Sequence, residues 1–418
     1  MKSIIIIGAG SSGLMAASIL LEKNYDVTVV EARDRIGGRI HTANLGFSKS
    51  LEEGAEFIHG KQPLTLKLLK ESNNNKTKLA GNYYQLWNGV VEKGDFFGED
   101  WKHLTKALEE VKEDTDIADL LNRKFPGEKH AELRKKVKGF VEGYDAADMN
   151  RVSALALRKE WSQSDNDHQY RIEGGYSSLM NFLAEKIRKK GGVIVMSSPV
   201  RELQWNKGSV KALTADGKVL EAHKAIITVP LGVLQRGTIT LTPEVPELKS
   251  AILALGFGNV IKFFFEFQND FWKDVVAQKF KKFAFVFSDA EVPTWWSQLP
   301  DKTPLLTGWL GGRGTATTES QPEALLRKAV DSLQYILKCS RADIVNNIVK
   351  RHVTNWGNDP YALGAYSYPT VQTAQVLSIL SKPFKETLYF AGEHIYNGPA
   401  MGTVEAALVS GSGVAKMM

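Results

Sequence analysis

The most restrictive feature of the chain is a glycine-rich turn between two differently patterned segments near its start. Residues 3–7 read SIIII, a continuous β-branched run typical of a strand covered on both faces of a parallel sheet. GAGSSG follows at 8–13, and apolar residues at helical spacing begin at Leu14. A second apolar strand, 26–30, ends directly before Glu31. This order of strand, glycine turn, helix and strand predicts an α/β fold with a dinucleotide site at the turn.

Each residue of this motif has a physical task in such a site. Gly8 permits the tight turn, Gly10 lets the backbone approach a pyrophosphate, and Gly13 lets the helix pack closely on the strand. The free N–H groups at the helix N-terminus would face the phosphates. Glu31 would accept hydrogen bonds from the ribose hydroxyls, and its charge opposes a 2′-phosphate, which argues against NADP.

Composition excludes several classes of protein. The 418 residues are 43% hydrophobic, which suits a large core in roughly two or three lobes. The 53 basic and 47 acidic residues leave a net charge of +6 with the basic residues scattered, so no nucleic-acid partner is indicated. Cys339 is the only cysteine, which excludes a disulfide framework and a cysteine-held cluster and favours a reducing compartment.

The sequence also lacks the motifs of several other functional sites and of membrane segments. No histidine spacing suggests a metal site, and no G-x-S-x-G nucleophile elbow occurs. No apolar run approaches the ~20 residues of a membrane span, and the run at 4–7 is far too short for a signal sequence. We therefore expect a cytoplasmic protein that is not bound to a membrane, of undetermined oligomeric state.

A second glycine segment distinguishes flavin from nicotinamide cofactors. RIGGRI at 35–40 directly follows the second strand and resembles the GGR segment of the flavin amine oxidase family, which includes monoamine oxidases, polyamine oxidases and flavin-dependent histone demethylases. The resemblance recurs in blocks over nearly the whole chain. It implies a Rossmann-like FAD-binding domain of the amine oxidase (GR2) type with an interleaved α+β substrate domain. The expected FAD domain comprises 1–60, 170–235 and 384–418, and the substrate domain comprises 61–169, as a charged helical lobe with few strands, and 236–383.

The resemblance also implies the cofactor contacts. The residue matching Val200 contacts the adenine end through its backbone, and Glu393 would accept from the ribitol hydroxyls. A helix beginning near Gly402 would aim its N-terminus at flavin N1 and the C2 carbonyl. Ala365 replaces the cysteine that attaches the flavin in monoamine oxidases, so noncovalent FAD is expected. Together, the glycine motif and the resemblance predict these cofactor-binding residues: Gly8, Gly10, Gly13, Glu31, Arg33, Gly37, Gly38, Arg39, Val200, Trp356, Glu393, Thr403 and Val404.

Four residues are candidates for the reaction itself. Lys262 lies in VIKFFFEF, where a lysine among aromatic residues is either an edge residue reaching solvent or a buried functional amine. The resemblance implies that Lys262 holds a water against flavin N5. It also makes Tyr366 one wall of an aromatic cage around the substrate amine, with Thr403 in the position of the second wall, as in the histone demethylases. His59, in an IHG triplet similar to polyamine oxidases, contacts substrate or serves in packing.

These features predict an FAD-dependent amine oxidase, closest in pattern to polyamine oxidases. A primary or secondary amine would become an imine by hydride transfer to flavin N5, with oxygen reoxidising the flavin to give hydrogen peroxide. One alternative is an L-amino-acid oxidase, although the arginine expected to clamp the carboxylate is replaced here by Glu56 and Phe57. A noncatalytic flavin-binding scaffold is the other. Phe57, Trp309 and Tyr368 are predicted to line the substrate channel.

Overall fold

The computed structural model describes residues 2–94, 99–162, 169–272, 280–317, 321–398 and 400–418. Its strands are β1 Ser3–Ile7, β2 Asp26–Val30, β3 Thr42–Ala43, β4 Leu51–Glu52, β5 Phe57–His59, β6 Lys76–Lys78, β7 Asn82–Trp87, β8 Val90–Lys93, β9 Gln169–Ile172, β10 Val193–Val195, β11 Val200–Asn206, β12 Ser209–Thr214, β13 Val219–Ala222, β14 Lys224–Ile227, β15 Thr240–Thr242, β16 Gly256–Gly258, β17 Val260–Phe267, β18 Phe283–Ser288, β19 Thr294–Trp296, β20 Leu305–Gly311, β21 Ile348–Asn355, β22 Tyr366–Tyr368 and β23 Leu388–Phe390. Its α-helices are α1 Ser11–Glu22, α2 Pro63–Glu71, α3 Glu99–Glu109, α4 Ile117–Lys124, α5 Ala131–Gly143, α6 Ala154–Ser162, α7 Ser177–Lys189, α8 Leu231–Arg236, α9 Pro246–Ala254, α10 Gly314–Thr317, α11 Pro322–Leu337, α12 Arg341–Asn347, α13 Thr373–Leu380 and α14 Val404–Lys416.

A five-stranded sheet in the order β10-β2-β1-β14-β23 forms the first core, and its strands pair in parallel. Ile4 and Ile6 of β1 pack into a cluster with α1 and α7. Ile5 and Ile7 pack on the opposite face, with β11, β23 and α13. Cover on both faces is the reason that β1 is apolar throughout. The Rossmann-like prediction is confirmed, and the glycine turn lies at the carboxyl end of β1, where such sheets bind ligands.

A seven-stranded sheet, β21-β17-β20-β19-β18-β7-β8, forms the second core. All residues of β17 are buried. Its odd-numbered residues pack with α11 in one hydrophobic cluster, whereas Lys262 belongs to the other face. At 1% exposure, Lys262 is buried, so its interpretation as a solvent-reaching edge residue is wrong.

The segment 61–169 differs from the expected helical lobe. Helices α3 to α6 do share a cluster of their own. However, β7 and β8 extend the seven-stranded sheet, with β7 parallel to β18. Leu68 and Leu69 of α2 instead join the core of the parallel sheet. The expectation of few strands missed a local hairpin, in which β7 pairs with β8 across an Asn88-Gly89 turn with both residues at positive φ, while β18 pairs with β7 from some two hundred residues further along the chain. The domain limits themselves stay a prediction.

None of the helices within the described ranges is both long and apolar enough to cross a bilayer.

Candidate active site

One cavity of about 1600 Å³ receives side chains from both cores. Typical small-molecule pockets measure about 300–1,000 Å³, so this one has room for a dinucleotide and a substrate together. The predicted channel residues Phe57, Trp309 and Tyr368 line it. Gly13 is the one predicted site residue outside the lining. The predicted residues in the lining are Gly8, Gly10, Glu31, Arg33, Gly37, Gly38, Arg39, His59, Val200, Lys262, Trp356, Tyr366, Glu393, Thr403 and Val404.

The glycine turn forms a cradle that fits a pyrophosphate. Gly10 is the N-cap of α1, and no side chain caps this helix end. A Cβ on Gly10 would meet nothing nearer than the Gly37 carbonyl oxygen at 4.0 Å, so the backbone there is open to a ligand. A Cβ on Gly13 would lie 2.0 Å from the Gly8 oxygen, which explains the glycine at that close helix–strand contact. The residues present therefore fit a dinucleotide at the N-terminus of α1.

Glu31 is held at the end of β2 by backbone donors. Its Oε2 accepts from Ala9 N at 2.7 Å and its Oε1 from Arg33 N at 2.9 Å. Each carboxylate oxygen has a second lone pair that can accept from a ribose hydroxyl. The Arg33 side chain pairs with Asp359 rather than pointing away to solvent.

Arg39 and Glu393 join the two ends of the FAD-domain sequence. The Arg39 guanidinium lies 2.9 Å from Glu393 Oε1, and Ser367 Oγ donates to Glu393 Oε2. Burial is the largest single influence on Glu393 and raises its pKa, but Arg39, His394 and the hydrogen bond from Ser367 together outweigh burial and hold that pKa below its usual value. Glu393 is thus an ionised acceptor beside the cavity. Trp356 is fixed nearby by its Nε1, which donates to the Glu53 carbonyl oxygen at 2.9 Å.

Thr403 begins α14 and is its N-cap. Its Oγ1 accepts from Ala406 N at 3.1 Å and donates to the Ala400 oxygen at 2.7 Å. Gly402 has a φ of +85°, and a Cβ there would lie 3.2 Å from the Tyr366 ring. Glycine therefore allows the start of α14 to approach Tyr366. Thr403 and Tyr366 both line the cavity, with Thr403 fastened to the helix end.

Lys262 has three protein acceptors around its ammonium group. Its Nζ lies 2.6 Å from the Glu52 oxygen, 3.2 Å from the Gly54 oxygen and 3.0 Å from Glu56 Oε2. An ammonium group carries three protons, so these contacts account for all of them. A water molecule that accepts a hydrogen bond from Lys262 would have to replace one of these three acceptors, or share an ammonium proton with it.

Glu56 is the centre of a buried ionic cluster that the sequence analysis did not identify. Its Oε1 accepts from Arg171 Nε at 2.9 Å and from Trp296 Nε1 at 3.0 Å, while Oε2 faces Lys262. Burial raises the pKa of Glu56, but Lys262 and Arg171 together bring it below the usual value. The signal in the sequence was the density of carboxylates in LEEGAEF, directly before the IHG triplet.

Aromatic rings form another part of the cavity wall. Tyr366 stacks on Trp309 with ring centroids 6.3 Å apart, and its hydroxyl donates to the Tyr144 carbonyl oxygen. His59 lies with its ring 5.8 Å from Phe57 and 6.1 Å from Tyr144. Its Nδ1 is hydrogen-bonded to Gln169, and burial lowers the pKa of His59. His59 is therefore a neutral ring at the cavity surface.

A dinucleotide cradle that opens onto an aromatic cavity defines a nucleotide-dependent oxidoreductase. The family described as flavin containing amine oxidoreductase matches residues 11–418, and the chain belongs to this family. It is an FAD-dependent amine oxidase, as predicted.

Curated relatives agree with this assignment, and solved structures share the fold. Polyamine oxidase 4 of Oryza sativa subsp. japonica is 29% identical, covering 98% of this chain and 87% of that protein. Human lysine-specific histone demethylase 2 is 28% identical over 98% of the chain but only 52% of the demethylase. The putrescine-bound structure of putrescine oxidase has a TM-score of 0.82 at 20% identity, covering 100% of this chain and 98% of that one. Cyclohexylamine oxidase from Brevibacterium oxydans has a TM-score of 0.81 at 21% identity, with the same coverage.

Proposed function

We propose that the protein oxidises primary or secondary alkyl amines of the polyamine type, with molecular oxygen as the electron acceptor and hydrogen peroxide as product. The observation that carries this proposal is the aromatic wall of Tyr366 and Trp309 beside the buried Lys262 in the cavity that also contains the glycine cradle. Such a wall suits an apolar carbon chain with a neutral amine. The similarity to a rice polyamine oxidase and the shared fold of putrescine oxidase support it.

We assign the cofactor contacts to the residues of the cradle. Gly8 and Gly10 would admit the pyrophosphate, and Glu31 would accept from the ribose, while Val200 and Trp356 border the cavity. Glu393, kept ionised by Arg39, would accept from the ribitol hydroxyls. Bound FAD supplies a hydride acceptor for the α-carbon of the amine.

The remaining residues orient the amine and exclude water. Tyr366 would hold one side of the substrate, and Thr403 leaves more width on the other side than a second tyrosine would. The N-terminus of α14 would provide the positive end of a helix dipole to the flavin ring. His59, being neutral, would contact the substrate without repelling it. Lys262 would position a water during reoxidation by exchanging one of its three present partners.

The alternatives have less support in the cavity. An L-amino-acid oxidase needs an arginine for the substrate carboxylate, but Arg171, the arginine next to Phe57, is occupied by Glu56 and by the Ser297 and Leu299 carbonyl oxygens. A noncatalytic scaffold has no need for a lysine buried beside an aromatic wall. The cytoplasmic location inferred from the cysteine content stays a prediction.

An anaerobic flavin-reduction screen tests the proposal. Polyamines, acetylated polyamines and alkyl amines should bleach the flavin, whereas L-amino acids should not. Because the neutral amine reacts, the rate at low substrate should rise with pH toward the pKa of the amine, about 10.4 for a lysine-like group. Reduction by L-amino acids alone would overturn the substrate class, and a flavin that no amine bleaches would favour the scaffold.

A further inference from the structure

Gln62 is a buried glutamine in the cavity lining that has no part in the mechanism above. It lies between β5 and α2 and is only 5% exposed. Its Oε1 is buried and accepts no hydrogen bond from any described residue. Buried polar atoms in proteins are nearly always hydrogen-bonded, so this oxygen needs a donor from outside the described residues. A ligand in the cavity can supply that donor.

The capping of α2 is done by a side chain from another helix. Gln62 is the N-cap of α2, yet its side chain makes no capping hydrogen bond. The N–H groups of Leu64 and Thr65 donate instead to Glu405 Oε1 and Oε2, each at 2.8 Å. Thr65 Oγ1 also donates to Glu405 Oε2, at 2.7 Å. Because Glu405 satisfies these N–H groups, the Gln62 carboxamide is not needed by the helix and can serve a ligand.

The same contacts tie Gln62 to the start of α14. Glu405 lies in the first turn of α14, which begins at its N-cap Thr403. A few residues before Gln62, the Gly54 carbonyl oxygen accepts from Lys262. Gln62, Lys262 and Thr403 all line the one cavity. Gln62 is therefore joined to the end of α14 that faces the flavin ring in the proposed function, and it follows the segment that holds Lys262.

A carboxamide is the chemical complement of one edge of a flavin ring. That edge is an imide, in which the N3–H group lies between the carbonyl oxygens at C2 and C4. The oxygen of a glutamine side chain accepts hydrogen bonds and its NH₂ group donates them, so one carboxamide can pair with N3–H and with a neighbouring carbonyl oxygen. An alkyl amine has no adjacent donor and acceptor of this kind. The ligand that best suits Gln62 is therefore the cofactor.

We infer that the Gln62 carboxamide binds the imide edge of the flavin, with Oε1 accepting from N3–H and Nε2 donating to an adjacent carbonyl oxygen. This assignment deepens the proposed function and rests on its placement of the flavin ring. The Oε1 contact selects a flavin that carries a hydrogen on N3. The Nε2 contact favours the reduced ring, whose carbonyl oxygens carry more negative charge.

The first test titrates the apoprotein with FAD and with 3-methyl-FAD, in which a methyl group replaces the N3 hydrogen. The unmodified protein should bind 3-methyl-FAD about tenfold or more weakly, because Oε1 loses its donor and stays buried. Gln62→Ala removes the carboxamide and leaves room for the methyl group. This variant should bind the two cofactors with affinities that differ by less than about threefold.

A second glutamine provides the matched control. Gln372 is the N-cap of α13 and also makes no side-chain capping hydrogen bond, but it is exposed and lies outside the cavity lining. Gln372→Ala should therefore keep the full preference for FAD. The comparison of the two cofactors on the unmodified protein does not depend on the folding of any variant.

The midpoint potential of the bound flavin measures the Nε2 contact. Gln62→Met keeps the length of the side chain but has no donor, so the reduced flavin should lose affinity relative to the oxidised flavin and the potential should fall. A tenfold loss of relative affinity corresponds to about 30 mV for a two-electron couple. Potentiometric titration of Gln62→Met, Gln372→Ala and the unmodified protein measures this shift.

Equal binding of FAD and 3-methyl-FAD by the unmodified protein would overturn the inference. A preference for FAD that Gln62→Ala retains would do the same, and so would an unchanged potential in Gln62→Met. None of these measurements uses an amine. If no polyamine or alkyl amine bleached the flavin, the proposed substrate would be wrong, and the titrations would still decide the role of Gln62.

Discussion

At the residue scale, the three contacts of Lys262 determine what its removal should do. Lys262→Met keeps the stem but leaves Glu56 with Arg171 and Trp296 as its remaining partners. We expect FAD to remain bound, turnover to fall by about 10²–10⁴ and the free energy of unfolding to fall by up to about 3–5 kcal/mol. Stopped-flow reduction and reoxidation rates, together with urea unfolding, measure the two effects separately.

A second variant separates the role of Lys262 in the reaction from its role in the ion pair. Glu56→Gln removes the carboxylate of the same ion pair but keeps the Lys262 ammonium group, so stability should fall as in Lys262→Met while turnover falls less. If Lys262→Met reduces and reoxidises its flavin at unchanged rates, Lys262 is a structural residue and its water-positioning role is wrong.

At the element scale, α14 begins at a residue that both caps the helix and borders the substrate. Thr403→Tyr should narrow the cavity and shift the preference toward smaller amines, but it also removes the Oγ1 that accepts from Ala406 N. Thr403→Val is the matched control, because it loses the cap, at about 0.5–2 kcal/mol, without adding a ring. Chemical unfolding of both variants, with kcat/KM over a series of amines, measures the two effects.

The two Thr403 variants should lose similar stability, and only the tyrosine should reorder the substrates. Thr403→Ser, which keeps a capping hydroxyl, should retain stability close to that of the unmodified enzyme. An unchanged order of preference in Thr403→Tyr would show that Thr403 does not border the bound amine.

At the scale of the whole molecule, residues from the five-stranded parallel sheet and from the seven-stranded sheet surround the cavity. We expect the cofactor to be held there by noncovalent contacts alone. Ala365 has no nucleophilic side chain, and the described lining includes no cysteine. Acid precipitation should therefore release yellow FAD into the supernatant, and added FAD should raise the melting temperature of the apoprotein. Colour that remains in the pellet after precipitation would contradict noncovalent binding.

The sequence by itself determined the elements whose signals are local. The bounds of β1, β2 and β17 were readable because each is a short run rich in β-branched or aromatic residues, and the glycine turn was readable because its backbone geometry requires glycine. The cofactor and the class of reaction followed from those segments and the family resemblance.

Only the tertiary structure decided which distant charges meet. Glu56 and Lys262 are 206 residues apart, and each is chemically ordinary until folding buries both beside Arg171. β7 forms a local hairpin with β8, but its pairing with β18 joins segments some two hundred residues apart. The physical reason is that burial and pairing depend on chain-distant neighbours, which a local pattern does not contain.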